Sequence, residues 1–297
     1  MATLNQMIDE VRSSLAGYTL RQDRITYLQT PISDTGLSIQ VGSSNNLAKG
    51  IIEIDEELIW VDNFNKASST LNAAPGFGRG FQGTEKVAHS QYAQVTLSPT
   101  FPRSVIKQAI NDTIQSFFPK LWGVAVTTFT FNASQTTYPL PNDVESILYA
   151  SWQTTGSSLE WLPINRWRAD PMANYAAFGT VNTINIYENI QPGRTVQVYY
   201  TKRAVPLANG SDDFTLTGLP ESARDVVTLG ASYKLLSYID SGRITLTSAE
   251  SDTADSKIPS TAGTASSRYI YAVYQNRLNE ESLKLQDRYP IRIHYTK

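Results

Sequence analysis

Apolar residues recur at helical spacing in four segments of the chain, and strand-like sequence lies between them. The spacing predicts helices over residues 4–15, 101–121, 219–239 and 266–289. The first helix places four apolar residues on one face: Leu4, Ile8, Val11 and Leu15. In the second, Pro102 suits the first turn, where its missing N–H costs nothing, and Pro119 marks either the end of the helix or a kink.

The two C-terminal helices carry signs of close packing and of partial exposure. Gly230 and Ala231 are small and central in the third helix, which lets another helix approach closely. The fourth is predicted to be half buried, with one face formed by Ile270, Val273, Arg277 and Leu278. Glu280 and Lys284 are predicted to pair as i and i+4 neighbours. The polar residues 241–264 between these helices predict a long loop.

Two other regions alternate apolar and polar residues with the period of two that a half-buried strand requires. In residues 31–97 the strand-like runs are LSIQV, GIIEID, ELIWVDNF and SSTLNAA. In residues 124–218 they are VAVTTFTFN, VESILYASW, NTINIYEN and RTVQVYYTKR. Ser, Asn, Gly and Pro separate the runs, which predicts two antiparallel β-units of the small barrel or sandwich type.

The order of these elements predicts an α+β chain with the two β-units inserted between helices. The predicted layout is an N-terminal helix and linker (1–30), a small β-module (31–97), a core helix (98–123), a second β-unit (124–218), C-terminal helices (219–288) and an extended arm (289–297). In the arm, YPIRIHYTK, Pro290 ends the helix and apolar residues alternate with polar ones: Ile291, Arg292, Ile293, His294, Tyr295 and Thr296. Nine extended residues reach about 30 Å, and no strand in the chain is an evident partner.

Composition narrows the classes of function. The 297 residues include no cysteine, which excludes disulfides, thiolate zinc sites and a cysteine nucleophile. The 25 basic and 27 acidic residues balance, whereas a protein whose main partner is nucleic acid usually has a basic face. The N-terminus lacks the apolar core of a signal peptide, and no window reaches the length of a membrane span. We therefore expect a chain that is made and kept in a cytoplasm, with no membrane partner.

The stretch GRGFQGTEKVAHSQYAQV contains three glycines, Gly78, Gly80 and Gly83, at the G-x-G-x-x-G spacing of a dinucleotide loop. Such a loop follows a buried strand and opens a helix. Here TLNAAPGF precedes the glycines, and TEKVAHSQYAQ after them has no apolar helical stripe. We therefore predict no nucleotide site, and expect Gly80 and Gly83 to supply positive φ angles in a turn. Arg79 is expected to pair with an acid such as Glu57.

Other candidates for chemistry have simpler structural interpretations. His89 is expected to be a hydrogen-bonded loop residue rather than a base, because no nucleophile motif accompanies it. The acidic residues Glu53, Asp55, Glu56 and Glu57 could hold a metal or act as a carboxylate pair, but a solvated strand face is favoured. NGSDDFTLTG at 209–218 lacks the twelfth-position glutamate of a calcium loop, which favours a plain turn. No catalytic residue, cofactor or metal ligand is predicted.

The aromatic residues of the second β-unit are compatible with carbohydrate binding and with a structural role. A sugar-stacking platform, core packing and a subunit interface would each account for Trp152, Trp161, Trp167 and Tyr175. The first of these would make the chain a carbohydrate-binding protein. A polysaccharide-degrading enzyme would also need an acid pair in a cleft, and no spacing in the sequence points to one.

The glycine stretch resembles a small β-module that recurs in structural proteins of tailed bacteriophages. Its pattern is E-[LI]-[IM]-x-V, then R-G-[YF]-x-G-T, then A-H and a closing valine, and the matching residues are Glu57, Val61, Arg79, Gly80, Phe81, Gly83, Thr84, Ala88, His89 and Val95. The chain departs from it in the longer loop NAAPGFG and in Tyr92, where glycine is usual. The resemblance assigns a structural turn to Glu57, Arg79, Gly80, Gly83, Thr84 and His89.

The rest of the chain is similar to phage head-to-tail connector (adaptor) proteins. The similar segments are FPRSVIKQAINDTIQSFFPKLW, YPLPNDVESIL, LPESARDVVTLGASYKLL and YQNRLNEESLKL. The resemblance implies a four-helix core with β-insertions and a homo-oligomeric, twelvefold ring beneath the portal protein. It also implies contact with the next neck or tail protein, a lumen that passes DNA without reading it, and a place in the virion neck. The portal-binding arm would be Tyr289, Pro290, Ile291, Arg292, Ile293, His294 and Tyr295.

Overall fold

The computed structural model describes residues 2–18, 23–155, 160–249 and 262–290. Within them the helices are α1 (Leu4–Ala16), α2 (Arg103–Gln115), α3 (Tyr175–Phe178), α4 (Arg224–Ala249) and α5 (Ala262–Arg288). The strands are β1 (Arg24–Tyr27), β2 (Ser38–Gln40), β3 (Gly50–Ile54), β4 (Glu57–Asn65), β5 (Thr70–Ala73), β6 (Gln94–Leu97), β7 (Gly123–Thr130), β8 (Thr137–Pro139), β9 (Ser146–Gln153), β10 (Trp161–Pro163), β11 (Trp167–Asp170), β12 (Thr183–Ile186) and β13 (Thr195–Lys202). All strand pairs are antiparallel, so the predicted α+β class with antiparallel β-units is confirmed.

Helix α1 forms where the apolar spacing predicted it. Its buried stripe consists of Leu4, Met7, Ile8, Val11 and Leu15, all fully enclosed. Near its end, the Ser14 hydroxyl lies 3.1 Å from that of Ser232 on α4. Ser232 follows the buried Gly230 and Ala231. The close helix approach that the small residues predicted is therefore confirmed.

Helix α2 is shorter than predicted at both ends. Pro102 precedes the first helical residue, and its carbonyl accepts a hydrogen bond from the N–H of Ile106 at 3.0 Å. The helix ends at Gln115, and residues 116–121 continue as turns. Pro119 limits how far the helix can continue, because it has no N–H to donate to the carbonyl of Gln115.

The predicted loop at 241–264 is wrong at both of its ends. Helix α4 continues to Ala249 and α5 already begins at Ala262, so residues 241–249 and 262–264 are helical. Once a helix has formed, each added residue gains one hydrogen bond, so the helix can run into polar sequence that has no apolar stripe. The polarity of this stretch was therefore a poor indicator of its backbone conformation.

The first β-unit is a six-stranded sheet in the order β1-β6-β3-β4-β5-β2. Strand β1 was not predicted and lies within the residues expected to form a linker. An antiparallel bridge between Leu28 and Val41 joins the two edge strands, and the N–H of Gly42 donates to the carbonyl of Tyr27 at 2.9 Å. The core of the sheet contains Leu28, Ile39, Val41, Ile52, Ile54, Ile59, Val61, Leu71 and Val95.

The second β-unit consists of two sheets around one core. A four-stranded sheet has the order β10-β9-β13-β7, and a three-stranded sheet has the order β11-β12-β8. Side chains from both sheets meet in a cluster that includes Tyr138, Ala150, Ile184, Ile186, Val196 and Val198. The four strands predicted in this region are confirmed, whereas the short strands β8, β10 and β11 were not predicted.

Contacts divide the chain into two compact units. One contains residues Asp112–Val227 with the start of α1 and most of α5, and the other contains Asn5–Asn111 with Thr228–Tyr271. Residues 209–218 form a turn and a short 3₁₀ helix in which the Asp212 and Asp213 carboxylates accept hydrogen bonds from nearby backbone N–H groups. None of the helices in the described ranges is both long and apolar enough to cross a bilayer.

Candidate functional site

The first candidate site is the turn cluster, which we define as Asp55, Glu57, Arg79 and His89. Glu57 opens β4 directly after the tight turn that ends β3, where Asp55 has a positive φ of 55°. Arg79 lies in the loop after β5, and His89 lies in the extended segment before β6. Two connections of the same sheet, the β3–β4 turn and the segment between β5 and β6, therefore bring the four side chains together.

Arg79 is enclosed and fully hydrogen-bonded. Its Nε and Nη2 donate to the two Glu57 carboxylate oxygens at 2.7 and 2.9 Å, which is the pair that the sequence predicted. Nη1 donates to the carbonyls of Ser33 and Gly36, both at 2.7 Å, and Nη2 also donates to the carbonyl of Val87 at 2.6 Å. Arginine has five N–H donors, and all five are used here.

His89 is buried between two carboxylates. Its Nδ1 lies 2.8 Å from Asp55 Oδ2 and its Nε2 lies 2.9 Å from Glu57 Oε2. Its backbone also exchanges hydrogen bonds with Ile32 in both directions. Both ring nitrogens donate only when the ring is protonated, so this arrangement favours the imidazolium form. The expectation of a hydrogen-bonded histidine is confirmed.

Burial and hydrogen bonding oppose each other in the pKa values of the cluster. Burial alone would raise the pKa of Glu57, but hydrogen bonds from Arg79, His89 and the N–H groups of Gly80 and Val87 outweigh it and lower the pKa to about 2. Burial alone would lower the pKa of His89, but its bonds to the carboxylates of Asp55 and Glu57 raise it above the usual value. Both groups are therefore held in their charged forms.

The glycines and Thr84 shape the loop around this pair. The N–H of Gly80 donates to Glu57 Oε1 at 2.9 Å, and Gly80 and Gly83 have φ angles of 63° and 80°, the positive values that the sequence predicted. Thr84 Oγ1 accepts from the N–H of Leu58 at 3.0 Å and donates to the carbonyl of Phe81 at 3.0 Å. After Gly83 the backbone is extended, whereas a dinucleotide loop would open a helix there.

The acidic residues of this region do not form the solvated face that the strand pattern predicted. Glu53 is 2% exposed and Glu57 is 1% exposed, while Asp55 and Glu56 keep solvent contact. Glu53 accepts from Arg12 Nη2 at 2.8 Å and from the N–H of Arg103. Burial raises the pKa of Glu53 despite these bonds. The expectation was wrong because arginines distant in sequence cover that face, and periodicity carries no signal for them.

A second candidate site lies where the predicted arm begins. Helix α5 ends at Arg288, and the ring of Tyr289 lies 5.8 Å from that of Trp122. The Arg288 guanidinium lies 5.5 Å from the centre of the same tyrosine ring. A cavity of about 350 Å³ opens here, lined by Leu148, Tyr149, Tyr199, Arg288, Tyr289 and Pro290. We call it the tyrosine cavity; the predicted arm residues Ile291, Arg292, Ile293, His294 and Tyr295 lie outside the described residues.

Helix α5 is tied to the start of α4 by a charged cluster that the sequence did not reveal. Arg277 Nε donates to Asp225 at 2.8 Å, and its Nη2 donates to Glu281 at 3.2 Å. Glu281 is 1% exposed and also accepts from Lys284 at 2.6 Å and from the Ser222 hydroxyl. The predicted partner of Lys284 was Glu280, which instead accepts from Arg277. Glu281 lies on the same face of the helix as buried Tyr274 and Leu278. That spacing is the feature of the sequence from which its burial could have been predicted.

Comparison with known proteins decides the identity of the family. The sequence profile of the SU10 adaptor protein family matches residues 88–292, which is more than two thirds of the chain. The chain belongs to this family. The adaptor resemblance seen in the sequence is confirmed, and the chain has the structural role of a phage head-to-tail adaptor in the virion. No curated protein matches the adaptor.

The four aromatic residues singled out in the adaptor's second β-unit do not share one environment. Trp152 and Trp167 pack against the core between the two sheets. Trp161 is 40% exposed and Tyr175 is 62% exposed. Among the described residues, no group of three or more His, Asp or Glu side chains is arranged to hold a metal ion.

Proposed function

We propose that this adaptor forms a homo-oligomeric, twelvefold ring beneath the portal protein, joins the capsid to the tail and lines the DNA exit channel. The family match over residues 88–292 carries this proposal. In it, α1, α2, α4 and α5 supply the four-helix core, and the two β-units are insertions in that core. The protein is made in the host cytoplasm and takes its place in the neck of the virion, where it also contacts the next neck or tail protein.

The portal-binding segment in this proposal is the arm, residues 289–295. Support comes from its base: Tyr289 is held against Trp122 and Arg288, and the Glu281 cluster ties the helix before it to α4. A fixed base reduces the conformational entropy that an arm loses on binding. Apolar and polar residues alternate beyond Pro290, so the arm suits strand addition or a groove, with backbone bonds supplying affinity and side chains supplying specificity.

The channel in this proposal passes DNA without binding its sequence. Affinity for DNA comes chiefly from lysine and arginine contacts to phosphates, and it rises with each such contact. The adaptor has a formal net charge of −2. A lumen built from copies of such a chain lets the duplex slide, because nearly balanced charge offers few attachment points.

Negative-stain electron microscopy tests this function. The purified adaptor is imaged alone and mixed with the portal protein encoded in the same genome. Rings, or a second tier of density on the portal, are expected, and their rotational symmetry gives the copy number. A monomer that adds no density to the portal contradicts the proposal.

A carbohydrate-binding or decoration protein of the virion is the second candidate function. Exposed Trp161 and Tyr175 favour it, because aromatic faces open to solvent can stack on sugar rings. Its test is the intrinsic tryptophan fluorescence of the adaptor with host polysaccharide added. A saturable shift that is lost in Trp161→Ala supports sugar binding, and an unchanged spectrum contradicts it.

A further inference from the structure

The connection between β11 and β12 carries apolar side chains that are exposed in the described part of the adaptor. Met172 is 89% exposed, Tyr175 is 62% exposed and Val181 is 45% exposed. The sequence of residues 171–181, PMANYAAFGTV, contains no charged residue. We call this segment the apolar tip. A cluster of exposed apolar side chains marks a site of interaction, and a segment without lysine or arginine offers no cation to DNA phosphates.

Hydrogen bonds within the apolar tip hold it in one conformation. Asn174 Oδ1 accepts from the N–H of Ala176 at 3.0 Å and begins α3. Gly179, at a positive φ of 69°, ends the helix by donating to the carbonyl of Tyr175 at 2.8 Å. The N–H of Ala173 donates to the carbonyl of Val181 at 3.0 Å, which closes the base. Because the tip is already ordered, it loses little conformational entropy when it binds.

The tyrosine cavity lies on the opposite side of the four-stranded sheet from the apolar tip. Ala150 and Val198 point into the core that this sheet shares with the three-stranded sheet, which carries the tip. Their strand neighbours Tyr149 and Tyr199 line the cavity, and neighbouring residues of a strand point to opposite faces. The sheet therefore separates the tip of one copy from the cavity of the same copy.

We propose that the apolar tip of one copy inserts into the tyrosine cavity of the next copy, a contact that rests on the proposed ring. The two surfaces match in chemistry, because the thioether of Met172 packs well on aromatic rings. Tyr175 also offers an aromatic face to Arg288, which already lies over a tyrosine ring. Two different patches on one chain make a head-to-tail contact, which is the kind of contact that a ring requires when the rotation between copies closes.

Cysteine cross-linking tests the contact, because the native chain contains no cysteine. The double variant Met172→Cys with Tyr199→Cys is treated with a short bis-maleimide, both as the free protein and bound to the portal. A head-to-tail contact is expected to give a ladder of covalent oligomers, because each copy then bonds to two neighbours. Each single variant is expected to give at most dimers.

The matched control replaces the tip cysteine by Leu216→Cys, because Leu216 is also well exposed, at 61%, but lies outside the tip. A second pair, Met172→Cys with Tyr149→Cys, covers the case in which the first pair fails to fold as judged by circular dichroism. In addition, Met172→Asp is expected to weaken association between copies at least about tenfold, whereas Leu216→Asp leaves it unchanged.

The outcomes separate this contact from the proposed function. A ladder in the tip-cavity pairs that is absent from the controls supports the contact. Rings or a portal-bound tier in micrographs without a ladder above the controls overturn the contact and leave the ring intact. A ladder without rings or tiers supports the contact but contradicts the neck function. The absence of ladder, ring and tier overturns both.

Discussion

Arg79 shows at the scale of one residue why the β-module specifies arginine. Its five N–H groups meet two carboxylate oxygens and three backbone carbonyls, so no donor of the buried side chain lacks an acceptor. Lysine carries the same charge, but it has only three donors and no planar fork to match Glu57. The requirement for arginine at this position therefore comes from the geometry of its donors and not from its charge alone.

Arg79→Lys is expected to lower the free energy of unfolding by about 1–3 kcal/mol for each buried acceptor that lysine, with three donors in place of five, leaves without a hydrogen bond. The control is Arg203→Lys, because Arg203 pairs with Glu145 while its side chain stays 67% exposed. An exposed pair contributes about 0–1 kcal/mol, so the control is expected to change little. Urea denaturation of both variants measures the two effects. Equal losses would contradict the role assigned to Arg79.

The turn cluster predicts a pH dependence of stability with two limits. The pKa of Glu57 is lowered to about 2, so its stabilisation is complete above the ordinary value of 4.5 and is lost as the pH falls toward about 2. The pKa of His89 is raised, so its stabilisation is complete below the ordinary value of 6.5 and is lost as the pH rises through the raised pKa. The contribution of the cluster is therefore expected to be largest between 4.5 and 6.5.

His89→Gln isolates the alkaline limit of that profile. Glutamine does not titrate, so the variant is expected to be less stable than the native protein at acidic pH, with a difference that narrows as the pH rises above 6.5. Melting temperatures of both proteins across the pH range measure this difference. A difference that stays constant with pH would mean that the pKa of His89 is the same in the folded and unfolded states.

At the scale of an element, the loop from Gly78 to Thr84 depends on backbone conformation. Gly80→Val is expected to destabilise the first β-unit by about 1–3 kcal/mol from backbone strain alone. A Cβ at Gly80 would also lie 2.8 Å from the carbonyl oxygen of Thr84, which adds to the cost. The comparison variant is Gly83→Ala, which has the same sign of φ but open space around the added carbon. We expect it to cost about 1–2 kcal/mol.

Thermal unfolding and calorimetric titration with NAD check both glycine variants. The Gly80 variant is expected to melt at a lower temperature than the Gly83 variant. Neither variant nor the native protein is expected to bind NAD, because the backbone after Gly83 is extended. Nucleotide binding by the native protein that Gly80→Val abolishes would restore the dinucleotide interpretation.

Periodicity predicted the long elements well, and the reason is physical. In α1, burial follows the spacing of Leu4, Ile8, Val11 and Leu15, so the sequence carried the signal directly. The eight-residue strands β7, β9 and β13 repeat their alternation often enough to be recognised. Strands β8, β10 and β11 lie where the sequence has no run of alternating residues, and they form because they pair with β12 and β9.

A contact within a candidate site could be predicted only where one sequence motif contains both of the residues that make it. The pair of Arg79 and Glu57 followed from the module's pattern, although 22 residues separate the two. The burial of Glu53 depends on Arg12, which is 41 residues away in α1, and no pattern in the sequence links them. The tyrosine cavity combines two strands with a helix end, and such a surface emerges only from the fold.

For the whole molecule, the arm separates folding from assembly. A chain truncated after Tyr289 is expected to keep its fold, because the buried residues of the described cores all precede the cut. The same chain is expected to lose binding to the portal, since the arm supplies the contacts in the proposed function. Circular dichroism and co-sedimentation with the portal measure the two properties. Unchanged portal binding by the truncated chain would contradict the role of the arm.

A full-length control distinguishes the chemistry of the arm from its length. Replacing Ile291 and Ile293 by asparagine keeps nine residues but removes two apolar side chains. Each such side chain, if buried against the portal, is expected to contribute about tenfold in affinity. Loss of binding in the truncated chain but not in this variant would assign recognition to the backbone, as strand addition requires.

The joined edges of the six-stranded sheet have a consequence for crowding. Its edge strands have only four and three residues, and the bridge between Leu28 and Val41 fastens them to each other. Free sheet edges recruit strands from neighbouring chains in whatever register is available. In the proposed ring identical copies stand side by side, where such mispairing would be hardest to avoid. Because the two edge strands of this sheet pair with each other, contacts between adjacent copies depend on their side chains and not on backbone pairing.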